Sequence, residues 1–496
     1  MTEIVAPQEH ASAPTESDYQ RDRRPASEFK NRSDYLDNEL RVMNPRRWRL
    51  NLPTRDFNFE WEDIVPALAG TIGITVMFSA VMSAYANAFG LDQSFVIENV
   101  RLELLVSAVL FVILTSGFFN PRANLAGNHG PMIPLIGVIA ASGGHPLALG
   151  IMISVFGLIL SLSRGGSKLV TLSSHGVSGG LLIYLGSMGV VSQLGQFKEW
   201  ALANDVGPVF FVVLIVTTVV YAWLAKIGKR WLAIPLCSAI ALIISLLMGA
   251  SLELTTTPGL PSLNPAYWWG ADTGWKLGLP NLQHFIAVTP FAILAVAMWS
   301  PDFLGHRVFQ ALNYPKDAKN VLMDVDDTMT ACSFRQGIAS FLGGGNVSSS
   351  WGTYMIPMAI AKRPIPAGAI LTGGLCIALA VSGYPMDITV WKPVMCIALL
   401  VGVFMPLLEA GIQMIKDTRG AETAGICILA SAIVNPVFGW SLTMFLDNNG
   451  LIGDKKRAES LSFKDRVVIP GSAFLICVIS MAVVGMLPGI PALMGN

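Results

Sequence analysis

Charge is what this sequence has least of. Only 13% of its 496 residues are Asp, Glu, Lys or Arg, against 53% hydrophobic, which leaves too little polar surface to cover a water-soluble globule of this size. The chain therefore reads as an integral membrane protein. Lys+Arg and Asp+Glu each total 33, so there is no basic excess to bind nucleic acid. Cysteine is also sparse. The six (Cys237, Cys332, Cys376, Cys396, Cys427 and Cys477) stand at least 20 residues apart, which excludes a CxxC metal pair and a disulfide framework and leaves small buried hydrophobes. HExxH and the nucleotide-binding GxxxxGK[ST] are absent, so no cofactor and no enzymatic activity are expected, and transport by this chain alone would be secondary. Asp324, Asp326 and Asp327 approach calcium-loop spacing but lack the central glycine and closing glutamate, and are discarded as a metal site.

Ten basic and eleven acidic residues fall within positions 1–60. That stretch has no apolar core, which excludes a secretory signal peptide. It reads as a disordered cytoplasmic tail, with a surface-lying stretch around Pro45, Trp48 and Leu50.

Beyond it, apolar runs long enough for a helix to cross about 30 Å of hydrocarbon recur. They fall near 63–89, 99–118, 122–142, 145–163, 169–194, 206–226, 231–250, 284–306, 328–343, 345–361, 364–383, 390–415, 421–446 and 467–488. The expected fold is thus all-α and polytopic, with about fourteen spans: 61–250 holds the first seven, 251–283 is an external loop, and 284–496 holds the second seven. Basic residues follow the even-numbered spans (Arg122, Arg164/Lys168, Lys226/Lys229/Arg230, Arg307/Lys316/Lys319, Lys362/Arg363, Lys416/Arg419) and join Arg46, Arg47 and Arg49 in the tail. The positive-inside rule then places the N-terminus in the cytoplasm of an inner-membrane protein. One loop disagrees. Residues 447–466 carry Lys455, Lys456, Arg457, Lys464 and Arg466 on the outer side of a fourteen-span count. If 421–446 is two short helices broken at Pro436, the loop turns cytoplasmic and 467–488 is a fifteenth span.

Two runs are interrupted by small and polar residues in matching ways. Asn128-His129-Gly130-Pro131-Met132-Ile133-Pro134 breaks the third span; Asn346-Val347-Ser348-Ser349-Ser350-Trp351-Gly352-Thr353-Tyr354-Met355-Ile356-Pro357 breaks the tenth. A separation of seven spans makes the equivalents antiparallel, as in an inverted repeat, and broken helices persist at membrane depth only where they line an internal cavity. Half-helices starting near Pro131 and Trp351 would aim two N-termini, each roughly +0.5 charge, at one midplane site suited to an anion or electron-rich group. The expected substrate-binding set is Asn128, His129, Gly130, Met132, Asn346, Ser348, Ser349, Ser350, Trp351 and Thr353. His129 either donates to that anion or is packed against Asn124 or Asn128.

Asp302 is the acidic residue that a hydrocarbon setting makes most expensive, and His306 stands one turn on, on the same helix face. The two form a candidate proton-exchanging pair. The alternatives are a Na⁺ site from Asp302 with Asn346 and Ser348, and a span that ends near Ser300, leaving both residues in water. Glu409, Lys416, Asp417 and Arg419 read as an interfacial charge cluster.

The motifs Gly343-Gly344-Gly345-Asn346-Val347-Ser348-Ser349-Ser350-Trp351-Gly352, preceded by Arg335-Gln336-Gly337-Ile338-Ala339-Ser340, resemble the tenth-span signature of the superfamily that contains the nucleobase/ascorbate permeases and the sulfate permeases. Ser174-His175-Gly176-Val177-Ser178-Gly179-Gly180 looks like a sulfate-permease fifth span, and Asp302-Phe303-Leu304-Gly305-His306 like a nucleobase-permease eighth. The resemblance implies a seven-plus-seven inverted repeat divided into a substrate-holding core and a gate that forms a homodimer. Thr353 departs from it, standing where nucleobase permeases carry an acid, and no soluble domain is expected after the last helix, unlike in most sulfate permeases. The expectation is an ion-coupled (H⁺ or Na⁺) carrier of a small anion or weak acid such as bicarbonate, sulfate or a small carboxylate. A nucleobase–proton symporter and a non-transporting scaffold or sensor are the alternatives.

Overall fold

Lipid offers backbone N–H and C=O groups no partners, so apolar runs of this length satisfy them internally as helices. The computed structural model describes residues 23–252, 258–383, 391–415, 418–483 and 485–491. Among these, helices account for the architecture and no sheet forms; two isolated bridges are the only β pairing. Eight helices of the described residues are long and apolar enough to cross a membrane, or nine if Pro146–Leu162 and Gly165–Leu172, bent by 77°, form one span. The chain is an integral membrane protein.

The first and second spans are Ile64–Phe89 and Gln93–Phe119, and the fourth is Pro146–Leu162. The fifth to seventh are His175–Ala203, Gly207–Lys226 and Ala233–Leu247, the eighth Leu282–Asn313 and the ninth Val325–Phe341. The eleventh and twelfth are Ile365–Ser382 and Lys392–Met414. Polar caps set the starts: Asp92, Ser174, Asn281 and Asp324 each accept from a backbone N–H of the first turn, which satisfies one of the four donors a helix start leaves open.

One alternative that the sequence left open is decided, and one expectation is corrected. The run at 421–446 is two helices, Thr418–Ile433 and Pro436–Asn448. Pro436 lacks an N–H and disfavours helix at the residue before it, and Asn435 caps the new start by accepting from Phe438 N at 3.0 Å. The following loop lies with the basic end of the fourth span: Lys168 pairs with Asp465 at 2.9 Å, and Arg457 donates to Leu172 O at 3.1 Å. Residues 447–466 therefore share a face with Arg164 and Lys168, and the last helix, Lys464–Val483, is an additional element.

The corrected expectation concerns the tail. From residue 23 onward it is folded. Asn31 caps a helix, Arg32–Val42, whose Tyr35, Leu36 and Leu40 are buried. The charges that made this stretch look solvated have partners on the loops of the same face: Arg47 with Asp327 (2.7 Å), Lys362 with Asp37 (2.8 Å) and Arg41 with Asp317 (3.0 Å). The bond to Asp327 holds the Arg47 guanidinium above its usual range. Residues 1–22 of the expected tail lie outside the described residues.

The largest apolar cluster draws on the first four spans and on the eighth to the eleventh. A second cluster joins the fifth, sixth, seventh and twelfth, against Ala69, Val76 and Met77 of the first. Within the larger bundle the pairings exchange between halves: the fourth span packs on the ninth and eighth, as the eleventh packs on the second and first. Glycine makes the contact of the fifth and twelfth spans close, since a Cβ at Gly179 would stand 2.9 Å from Gly411 O. The loop at 258–281 is packed rather than open. Trp268, Trp269 and Trp275 are buried, and the Trp275 indole donates to Gly343 O at 2.7 Å.

Candidate functional site

Two extended segments cross at the centre of the larger bundle. Residues 124–129 precede a helical stretch that begins Gly130–Leu135 and continues Ile136–Ala141; residues 345–351 precede Gly352–Ile360. The segments pair antiparallel: Gly127 N donates to Ser349 O (2.6 Å), His129 N to Val347 O (2.8 Å) and Trp351 N to Leu125 O (2.9 Å). Each break thus satisfies the backbone of the other, which is how non-helical chain is tolerated at this depth. Gly127 is required for the approach, because a Cβ there would lie 2.9 Å from the Trp351 Cα.

Side chains extend the crossing. Asn128 donates to Asn346 Oδ1, and Asn346 Nδ2 donates to Gly127 O at 3.1 Å. The Ser350 hydroxyl meets Asn124 Nδ2 and, at 2.8 Å, His306 Nδ1; Ser349 donates to Asp302 Oδ2. Asp302 Oδ1 and His306 Nε2 are 3.8 Å apart, with the carboxylate side chain 22% exposed and the imidazole 7%. The eighth helix continues from Asp302 to Asn313, eleven residues further, or about 16 Å at 1.5 Å per residue. The helix itself therefore does not end near Ser300.

His129 is 1% exposed, and neither ring nitrogen has a partner among the described residues. The expected bond to Asn124 or Asn128 is not made; Asn124 Oδ1 and Asn128 Oδ1 are buried and unpartnered as well. Asp302 lies within electrostatic reach of both histidines. Neutral imidazole offers one donor and one acceptor and the amide oxygens accept, so the crossing carries unused groups of both kinds beside the two helix starts.

Other expected members make structural contacts of their own. Met132 is fully buried and its amide bonds to His129 O at 3.0 Å, while a Cβ at Gly130 would meet Met77 Cε at 3.0 Å. The Trp351 indole donates to Gly70 O at 3.1 Å. Thr353 backs onto the first span so closely that a Cβ at Gly73 would be 2.5 Å from its Oγ1. Ser348 Oγ accepts from Arg335 at 3.1 Å. Ser348 Oγ is thus engaged by Arg335 and Asn346 Oδ1 by Asn128, and among the described residues no cluster of three or more His, Cys, Asp or Glu side chains suited to a metal occurs. Glu409 pairs with Arg230 and accepts from Tyr221 at 3.0 Å, and Arg419 pairs with Asp454 at 3.3 Å, so these two do not form one cluster. Lys416 and Asp417 lie outside the described residues.

Sequence reasoning missed Glu103 and gave Arg335 no role beyond its motif. The two form an ion pair with both side chains fully buried. The signal was available: an acid in the second span and a base in the ninth are each too expensive alone and complementary together.

Residues 10–494 match the family described as "Protein of unknown function (DUF3360)". Among curated proteins, none matches the sequence. The solved structures similar to the chain include the following three. The transmembrane domain of a cyanobacterium bicarbonate transporter, BicA, is 14% identical with a TM-score of 0.41, over 86% of this chain and 97% of that one. SLC26A9 is 12% identical with a TM-score of 0.44, over 78% and 64%. Murine Solute Carrier 26 family member A9, an anion transporter in the inward-facing state, is 12% identical with a TM-score of 0.48, over 90% and 76%.

Proposed function

The chain belongs to the DUF3360 family, and from its crossed spans we propose that it is a secondary transporter of a small anion or weak acid, coupled to H⁺ or Na⁺. The observation that carries this reading is the set of buried polar atoms without partners where the third and tenth spans cross: both nitrogens of His129, Asn124 Oδ1 and Asn128 Oδ1. Buried polar groups are ordinarily satisfied, and each one left open costs about 1–3 kcal/mol. A ligand that bonds to them recovers that cost.

Two half-helix N-termini favour negative charge on the ligand. The amide oxygens and Asp302 favour a ligand that also carries a donor, as bicarbonate or a protonated carboxylic acid does. Thr353 fits a nucleobase poorly, because it backs onto Gly73 instead of presenting an acidic edge to a ring. In this reading the halves form an inverted repeat, and the larger bundle is a core that carries the site past a gate made of the fifth to seventh and twelfth spans with Thr418–Ile433 and Pro436–Asn448. Asp302 takes up the coupling ion before the loaded core moves. The gate faces of two copies form the dimer, in an inner membrane with the N-terminus in the cytoplasm.

Thermal unfolding of purified protein against bicarbonate, sulfate, short carboxylates, uracil and xanthine, each with and without Na⁺, tests the reading. Stabilisation by one of the anions, reduced by His129→Ala, is the expected result. Stabilisation by a nucleobase alone would replace the anion with a ring.

A further inference from the structure

The fully buried Glu103–Arg335 pair needs an explanation beyond stability, because burying two charges costs as much as their attraction returns or more. Its atoms point to one. Glu103 Oε1 accepts from Asn346 N at 2.8 Å, while the other oxygen takes Arg335. Arg335 also donates to Ser348 Oγ at 3.1 Å and to Ser107 Oγ at 3.0 Å. The next residue, Gln336, brackets the same segment, giving to Asn346 O at 2.7 Å and accepting from Ser348 N at 2.6 Å. Asn99, one turn before Glu103, accepts from Gly345 N at 3.1 Å and gives to Gly343 O at 2.9 Å. A Cβ at Gly344 would lie 2.2 Å from Glu103 Oε1, so glycine there admits the carboxylate.

The third-span segment has no comparable support. Beyond its pairing with the tenth, Asn124 N donates to Thr328 Oγ1 at 3.1 Å, and its remaining polar side chains keep the open atoms described above. The two walls of the crossing thus differ in kind. Resting on the carrier reading, we propose that Glu103 and Arg335 are a positioning pair that fixes the tenth-span segment as the rigid wall of the site, and that the third-span segment, through Asn128 and His129, is the wall that discriminates between substrates.

The test uses the full chain in detergent or liposomes. Glu103→Gln with Arg335→Gln removes both charges together, so no lone buried charge remains. Amide hydrogen exchange over residues 345–348 should then be about tenfold faster or more, with the twelfth span unchanged. Arg335→Lys keeps the charge but loses the planar fork, and should give a smaller local acceleration; it carries the test if the double variant is not recovered folded. Unchanged exchange at 345–348, or equal acceleration in every span, would overturn the positioning role. Discrimination is read separately from the anion panel: Asn128→Ser should reorder the relative affinities, and Ser348→Ala should lower them all alike. The reverse pattern would overturn the assignment of the walls. Exchange is measured without substrate, so its failure is distinct from failure of the carrier reading, which would show as no anion response in the unmutated protein.

Discussion

At the scale of single residues the account turns on Asp302, His306 and His129. Asp302 is partly exposed, bonded to Ser349 and 3.8 Å from His306. Asp302→Asn keeps the volume and a polar group but cannot take up a cation, so binding of the anion should persist while gradient-driven uptake falls by at least an order of magnitude. Binding by thermal shift and uptake into liposomes, measured on the same protein, separate the two. His306→Ala removes the partner of Ser350 and should move the pH optimum of a proton-coupled carrier, while leaving a sodium-coupled one at its original optimum. The proximity of these residues to the crossing was legible because a charge or a histidine in an apolar run has few structural uses. Ser348, Trp351 and Thr353 also make contacts that the sequence does not show, to Arg335, to Gly70 O and to the first span, because polar residues in a broken span must first satisfy the break.

Helix ends account for most of what can be tested at the scale of elements. His145 caps the fourth span by accepting from Leu147 N at 3.1 Å through Nδ1, while Nε2 lies 2.9 Å from Gly278 O, an arrangement that requires neutral imidazole. Burial, and to a smaller degree neighbouring His284, lower its pKa to about 4 against the bond to Gly278. A folded pKa below the unfolded value means that the unfolded state binds the proton more readily. The stability this contributes is present above about pH 6.5 and is lost as pH falls toward 4. Unfolding temperatures across that window should drop more steeply for the unmutated protein than for His145→Asn, which keeps a capping oxygen; parallel slopes would remove His145 from the account. At the Asn435 cap, Asn435→Ala should cost about 1 kcal/mol, read from denaturation. The Asn-Pro pair was visible in the sequence as one of two alternatives. What decided between them, the Lys168–Asp465 and Arg457–Leu172 contacts, joins residues nearly 300 positions apart, which no local pattern carries.

For the whole molecule, apolar run length gave an all-α membrane architecture, and the two interrupted runs are the segments that pair at its centre. The tail was misread because composition reports charges and not their partners: Arg47, Arg41 and Asp37 are matched by Asp327, Asp317 and Lys362 on loops remote in sequence. Topology follows from the shared face of these loops. A cysteine at position 228 or 457 should react only from the cytoplasm, and one at 262 only from outside; label at 457 from the outer side would restore a single span at 421–446. The central claim is that the crossing of the third and tenth spans binds a transported anion through His129 and the groups beside it. Uptake of labelled bicarbonate and short carboxylates into liposomes, driven by an imposed H⁺ or Na⁺ gradient, tests it most directly when the unmutated protein is compared with His129→Ala. The account predicts uptake of at least one anion by the unmutated protein and a half-saturating concentration at least about tenfold higher in the variant. Equal uptake by both proteins at every concentration, or none by the unmutated protein under either gradient, would contradict it.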